Sequence, residues 1–184
     1  QVAIASQIFA KLNPELNISP NKAYLCGLLH DIGRFILYDQ APQLIDEIQA
    51  NEMTHPQDLI RAEKNVLGGY HTDVGAETCR LWGLPEFIVE TIQFHHDPEQ
   101  IALIKDSESR HIATIVRYAD LFSMAILKTP EEMKRNKKLI TSTLSENFKD
   151  HLIDEKFITL SSLEALSESV YQQAYNQYLN LELY

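Results

Sequence analysis

Residues 28–33 read LLHDIG, and this stretch places a histidine and an aspartate side by side, His30 and Asp31. Apolar residues recur around the pair at spacings of three and four, and this period predicts a buried helix. Burying a carboxylate costs free energy unless it is paired or bound to a metal. The pair therefore indicates either an internal histidine–aspartate hydrogen bond or part of a metal site.

Helical periodicity continues along the whole chain, and no alternating strand pattern competes with it. Proline and glycine mark the expected boundaries. A second helix is predicted from Ser19-Pro20 to about Tyr38, carrying the histidine–aspartate pair. The first predicted helix ends at Asn13-Pro14, and three others begin at Pro42, Pro56 and Pro85. Two more are predicted to span Val74 to Trp82 and Glu108 to Leu127. Thr72 and Asp73 are expected to cap the Val74 helix. The sequence predicts an all-α fold.

Two parts are expected along the chain. Residues 1–128 form a helical core, and residues 129–184 form a C-terminal helical extension that packs on it. The extension is inferred from apolar residues at spacings of three and four after Ser161. The first residues are already helical and no capping residue precedes them, so the first helix is expected to begin upstream of Gln1.

Composition excludes several classes of function. The chain has 184 residues, 45% of them hydrophobic and 23% charged, which is ordinary for a globular protein. No apolar run approaches the ~20 residues of a membrane span. The net charge of −10 argues against nucleic-acid binding, which needs a basic surface. Cys26 and Cys79 lack metal-site spacing and are interpreted as buried free thiols, so a cytoplasmic location without a membrane is expected.

Several residues are candidate metal ligands, and they stand on separate predicted helices or at helix ends. They are His30, Asp31, His71, His95, His96 and Asp120. Each also has a structural interpretation. His71 could bond a loop carbonyl, one of the adjacent histidines could interact with a helix C-terminus, and Asp120 could pair with Arg117.

As a set, these residues offer imidazole nitrogens and carboxylate oxygens. Such a mixed set suits one or two divalent ions of iron, manganese, zinc or magnesium. Adjacent residues on a helix point ~100° apart, so His30 and Asp31 can hold one ion or two neighbouring ions. Two ions roughly 4 Å apart can activate a water and stabilise the leaving oxygen in phosphoester hydrolysis.

The pattern resembles the HD superfamily of metal-dependent phosphohydrolases, whose hallmark is a histidine–aspartate pair and a later aspartate. It resembles most the HDOD branch of bacterial signalling proteins. The residues that carry this similarity are Glu63, Gly68, His71, Val74-Gly75-Ala76, Trp82, Leu84-Pro85, His95-His96 and Ala119-Asp120. The similarity covers about residues 1–128 and implies an HD-like helical bundle with additional C-terminal helices.

The resemblance also implies an activity. A metal-dependent phosphohydrolase would act on a phosphoester or nucleotide, with Asp31 and Arg34 as catalytic residues. The resemblance also implies another ligand histidine on the preceding helix; none occurs between Gln1 and Lys22, so this residue is expected either upstream of Gln1 or to be absent. No Gly-Tyr-Pro follows His95-His96, which argues against cleavage of cyclic dinucleotides. The alternatives are a non-catalytic scaffold module with a signalling protein as partner, and a module in which the ion is purely structural.

Overall fold

The computed structural model describes residues 1–50 and 56–128, and within these ranges the chain is helical with no strand. The predicted all-α class is confirmed. The helices are α1 (Val2–Leu12), α2 (Pro20–Leu29), α3 (Ile32–Gln40), α4 (Pro42–Gln49), α5 (Pro56–Leu67), α6 (His71–Leu81), α7 (Glu86–Phe94), α8 (Pro98–Leu103) and α9 (Ser107–Lys128), with a short 3-10 helix at Pro14–Leu16. The predicted C-terminal extension, 129–184, lies outside the described residues.

The prediction of one continuous helix from Ser19-Pro20 to Tyr38 is wrong. The helix breaks at His30 and Asp31, where the backbone of Asp31 (φ −101°, ψ 17°) leaves the helical region and caps α3. The buried environment expected around the pair is also incomplete, since Leu28 is 57% exposed and Phe35 is 68% exposed. Because the helix is interrupted here and part of the apolar stripe is exposed, the continuous stripe of the sequence does not become one buried face.

Other boundaries differ by smaller amounts. Helix α6 begins at His71 itself, with Tyr70 as its N-cap, so Thr72 and Asp73 lie inside the first turn and do not cap a helix at Val74. The segment after His95-His96, expected to be a loop, contains α8. Its N-cap is Asp97, whose side chain accepts hydrogen bonds from the backbone N–H groups of Glu99 and Gln100.

The described chain divides into two compact units. The first contains Gln1–Gly27 and the described residues from Ile115 to Lys128. Its core includes α1, where Phe9 meets Phe122 edge to face at 6.4 Å between ring centroids. Asn13 ends α1 by donating a side-chain hydrogen bond to the carbonyl of Phe9. Cys26, which belongs to this unit, and Cys79 of the second unit are buried and form no disulfide, which confirms the prediction for both.

The second unit is Leu28–Thr114, and two apolar clusters hold it together. One joins α4 and α5 through Ile45, Ile48 and Ala62, with Leu37 of α3 packed against it. The other joins α7, α8 and α9 and contains Phe94, Ile101, Ile104 and Ala113. Among the described residues, no helix is both long and apolar enough to cross a membrane.

Helices α3 and α6 touch through their backbones at two glycines. A Cβ on Gly33 would lie 1.9 Å from the carbonyl oxygen of His71 and 2.7 Å from the backbone nitrogen of Gly75. A Cβ on Gly75 would lie 2.9 Å from Cγ2 of Ile92 on α7. Only glycine permits this approach. It brings the start of α3, with Asp31, against the start of α6, with His71.

Candidate metal centre

Four side chains of the second unit converge at this contact. Asp31, His71, His95 and His96 each offer a ligand atom, and the four atoms lie within 4.8 Å of one another. Asp31 comes from the break before α3, His71 from the first residue of α6, and the two histidines from the end of α7. The sequence predicted all four as metal ligands, and the fold brings them together.

The two carboxylate oxygens of Asp31 face different groups. Oδ1 lies 3.1 Å from Nε2 of His71 and 3.8 Å from Nε2 of His95. Oδ2 lies 3.6 Å from Nε2 of His30 and 3.4 Å from the Arg34 guanidinium. One oxygen therefore belongs to the histidine cluster, and the other lies between His30 and Arg34.

His71 is fixed by a buried glutamate on α5. The carboxylate of Glu63, which is 1% exposed, lies 2.7 Å from Nδ1 of His71 and also accepts the backbone N–H of His71 at 3.1 Å. Since a carboxylate only accepts, Nδ1 carries the proton and Nε2 is directed to Asp31. A carboxylate behind a histidine is the usual outer partner of a metal-binding imidazole.

The adjacent histidines at the end of α7 are placed by the last turn of that helix. Nδ1 of His95 donates to the backbone carbonyl of Ile92 at 2.9 Å. This bond leaves Nε2 of the neutral ring as its lone-pair nitrogen. The rings of His95 and His96 lie 4.0 Å apart between centroids, and the His71 ring is 5.2 Å from that of His96. The Nε2 atoms of His71, His95 and His96 are all shielded from solvent.

The electrostatics of the cluster favour an ionised Asp31 beside histidines that differ in protonation. Burial alone would raise the pKa of Asp31, but the hydrogen bond from His71 and the nearby imidazoles hold it well below its usual range. Burial would lower the pKa of His71, but bonds to Asp31 and Glu63 raise it to about 9. Burial, with His95 and His71 nearby, lowers the pKa of His96 well below its usual value, so His96 is neutral and can act as a ligand.

The other predicted site residues lie around or outside this group. His30 packs its ring edge to face on His95, at 5.1 Å between centroids, and is buried. Arg34 extends from the first turn of α3, and its side chain is one-third exposed. Asp120 lies on α9 in the first unit and is not among the four converging residues. Metal ligation by His30 and Asp120, and catalysis by Asp31 and Arg34, stay predictions.

The cluster has the donor chemistry and the dimensions of a metal site. Three imidazoles and a carboxylate suit iron, manganese or zinc. Two donors each ~2.1 Å from one ion can be at most about 4.2 Å apart, so side-chain shifts of less than ~1 Å would close the observed group around an ion. The described residues therefore fit one ion, with Asp31, His71, His95 and His96 around it.

Glu63 was named in the sequence analysis only as part of the family pattern and was assigned no role in the site. A signal for it was present in α5, because position 63 falls within the apolar stripe formed by Leu59, Ile60, Val66 and Leu67. A carboxylate on the buried face of a helix needs a partner. Its partner, His71, is only eight residues away but on the next helix, so the pairing could not be predicted without the structure.

Comparison with known proteins identifies the family to which this chain belongs. A model of the HDOD domain matches residues 1–98. The chain is 35% identical over 80 residues to an uncharacterized protein of Treponema pallidum (strain Nichols), covering 41% of this chain and 15% of the relative. It is 30% identical over 87 residues to ribonuclease Y of Aquifex aeolicus (strain VF5), covering 47% of this chain and 11% of that protein.

A second ribonuclease Y, from Mesoplasma florum, is 30% identical over 118 residues, which are 64% of this chain and 17% of that protein. The chain thus spans less than a fifth of the length of each of these relatives, and no solved structure matches it. The family model covers more than half of the chain and includes the helices that carry the four converging residues. The chain therefore belongs to the HDOD domain family, the signalling-associated branch of HD-related domains.

Proposed function

We propose that this HDOD domain binds a divalent metal ion through Asp31, His71, His95 and His96 and hydrolyses a phosphoester at that ion. The observation that carries the proposal is the convergence of four ligand atoms from three separate points of the chain within 4.8 Å. When bound, such an ion would polarise a phosphoryl oxygen and make a water more acidic.

The chain's own residues have distinct roles in this proposal. Glu63 holds the proton on Nδ1 of His71, so that Nε2 faces the ligand group. Asp31 uses Oδ1 toward the imidazoles, while Oδ2 orients the Arg34 guanidinium at 3.4 Å. Arg34 is the nearby cation with solvent access, and its planar donors suit a phosphate. It would hold the phosphoryl group beside Asp31, on the side of Oδ2.

Similarity to two ribonucleases Y supports phosphoester chemistry at this type of site, since their name describes cleavage of RNA. The aligned part is a small share of those proteins, so RNA itself does not follow as substrate. The net charge of −10 disfavours a polyanion. A small phosphoester or nucleotide fits the chain better.

A non-catalytic signalling module is the second candidate. The observation that favours it is the pair of contacts by which Asp31, at the start of α3, joins His71 of α6 and His95 at the end of α7. In that case the cluster would stabilise the helices, and the function would lie in binding a protein partner.

Metal content of the full chain tests the proposal first. Protein purified without chelator or metal-affinity resin should contain iron, manganese or zinc in near-stoichiometric amount by elemental mass spectrometry. Asp31→Asn and His71→Gln should lower that amount about tenfold or more. Asp39→Asn, an exposed change on the same helix α3, is the matched control and should retain the metal.

Hydrolysis of phosphomonoesters and phosphodiesters by the loaded protein then separates the two candidates. Arg34→Gln should keep the metal and lower kcat/KM roughly 10–100-fold. Metal retained by both ligand variants would overturn the proposed centre. Loaded protein that hydrolyses no phosphoester in the screen would favour the non-catalytic module.

A further inference from the structure

Helix α3 has a buried face and an exposed face. Gly33 lies against the backbone of α6, and Leu37, four residues later, packs on the cluster that joins α4 and α5. Positions three and four apart share one face of a helix, so these two residues mark the buried face of α3. Phe35 and Tyr38 lie off that face and are 68% and 44% exposed. The outward face of α3 is therefore aromatic.

This aromatic face begins at the metal centre. Asp31 precedes Arg34 by three residues and Phe35 by four, which places both of them one helical turn beyond the aspartate. The backbone N–H of Arg34 donates to the carbonyl of Asp31 at 2.9 Å, so the turn between them is closed. The Arg34 guanidinium lies 3.4 Å from Oδ2 of Asp31, and its side chain is one-third exposed. A cation and an exposed aromatic residue thus follow Asp31 in the same turn.

The position of Phe35, and not its exposure alone, carries the argument. Single apolar residues on a protein surface are common and by themselves indicate no site. Phe35, however, is adjacent in sequence to Arg34, whose planar donors suit a phosphoryl group. A flat aromatic ring is the surface on which the bases of nucleotides stack. The pair therefore matches the two parts of a nucleoside phosphate, an anionic group and a planar ring.

The spacing along α3 also fits such a ligand. Side chains three or four residues apart on a helix have Cβ atoms about 5–6 Å apart, and Asp31 and Phe35 are such a pair. In a nucleoside phosphate, one sugar separates the phosphoryl group from the base by a comparable length. A phosphoryl group at Arg34 therefore leaves the base within reach of the Phe35 ring. Tyr38, whose hydroxyl accepts a hydrogen bond from Gln49 of α4, follows one turn later.

We propose that Phe35 is a specificity-determining residue of this site: its ring stacks on the base of a nucleoside phosphate whose phosphoryl group is held by Arg34. The inference rests on the proposed function, because it takes the phosphoester to lie beside Asp31. One guanidinium and a net charge of −10 suit a single nucleotide better than a strand of nucleic acid.

Two ligands that cannot be hydrolysed test the role of Phe35 on the full chain with Mn²⁺ present, by isothermal titration calorimetry. They are the phosphonate analogues of adenosine 5′-monophosphate and of ribose 5-phosphate, in which a methylene group replaces the bridging oxygen. The first carries a base and the second does not. The adenosine ligand should bind about tenfold or more tightly than the ribose ligand.

Two substitutions of Phe35 show whether a flat ring causes this difference. Phe35→Leu keeps an apolar side chain without the ring, so it should remove most of the difference and leave the affinity for the ribose ligand unchanged. Phe35→Trp supplies a larger ring and should keep the difference. Metal content of both variants should match that of the unsubstituted chain, because Phe35 is not among the four converging residues.

Trp82→Leu is the matched control. Trp82 is also an exposed aromatic residue, at 60%, but it follows the last residue of α6, at the opposite end of that helix from His71. This substitution should leave both affinities unchanged. Equal affinity of the unsubstituted chain for the two ligands, or equal losses in Phe35→Leu and Trp82→Leu, would overturn the role of Phe35.

Arg34→Gln separates this inference from the proposed function. It should weaken both ligands by a similar factor, roughly tenfold, because it removes the phosphate contact that they share. Equal affinities for the two ligands, both lowered by Arg34→Gln, would leave the phosphoester site in place and overturn the inference about Phe35. Failure of the metal-loaded chain to bind either ligand would overturn the inference together with the proposed phosphoester site.

Discussion

Nδ1 of His71 lies 2.7 Å from a carboxylate oxygen of Glu63, and both side chains are buried. The same carboxylate accepts the backbone N–H of His71, so one glutamate fixes both the start of α6 and the tautomer of its first side chain. The ring is held with Nε2 toward Asp31 before any ion binds. Glu63 is therefore a positioning residue for the proposed metal centre.

Glu63→Gln should weaken metal binding about 10–100-fold. An amide carries no charge, and its NH2 group would replace one of the two carboxylate oxygens that lie 2.7 and 2.8 Å from Nδ1 of His71 and accept its proton. Affinity is measured by competition with a chromogenic chelator. Glu77→Gln, an exposed change on α6, is the control and should leave affinity unchanged. Equal affinities in the two variants would mean that Glu63 has no influence on the ion.

Gly33→Ala should destabilise the protein by about 3 kcal/mol or more, because its methyl group would meet the backbone of His71 and no rotamer can relieve the clash. Gly75→Ala should cost less, about 1–2 kcal/mol, since part of its contact is the movable side chain of Ile92. Urea unfolding measures both.

Gly69→Ala is the matched control for this series. Nothing lies within 4 Å of the added Cβ, so stability should change by less than about 0.5 kcal/mol. Comparable losses in all three variants would show that glycine flexibility, and not the α3–α6 contact, determines the effect.

Removing the metal should lower stability through mass action. An ion that binds only the folded chain adds about 2.7 kcal/mol at a free concentration of 100 times its Kd. Excess chelator should therefore lower the Tm of the unsubstituted chain and leave the Tm of Asp31→Asn unchanged. Equal decreases in the Tm of both proteins would mean that the chelator does not act through the proposed metal centre.

Metal-free protein should lose stability as pH rises from 6.5 toward about 9. The folded pKa of His71 lies above its unfolded value, so its charge contributes fully below pH 6.5 and is lost as pH passes through about 9. Chemical unfolding of the chelated protein at a series of pH values measures this. His71→Gln should make stability nearly independent of pH between 6.5 and about 9. An unchanged slope in that variant would mean that another group causes the pH dependence.

Local signals in the sequence predicted most of the fold. Pro42, Pro56 and Pro85 lie at or next to the starts of three helices, and the residues expected to converge at the centre include the four that do. The break at Asp31 could not be predicted, because the apolar period runs through it and the chain that packs beside it, α6, is about 40 residues away in sequence. Helix α8 was missed although Asp97-Pro98 is a helix-start signal, because its six residues are too few to show a period.

The contact between Gly33 and Gly75 has a consequence for finding the same centre in other sequences. A ligand can be exchanged for another donor, but a backbone touching a backbone leaves no side chain that a second mutation could trim. We therefore expect a chain with the histidine–aspartate pair but a larger residue two positions after the aspartate to space these helices differently. The glycine would then be as diagnostic of a working centre as the ligands themselves, although it binds nothing.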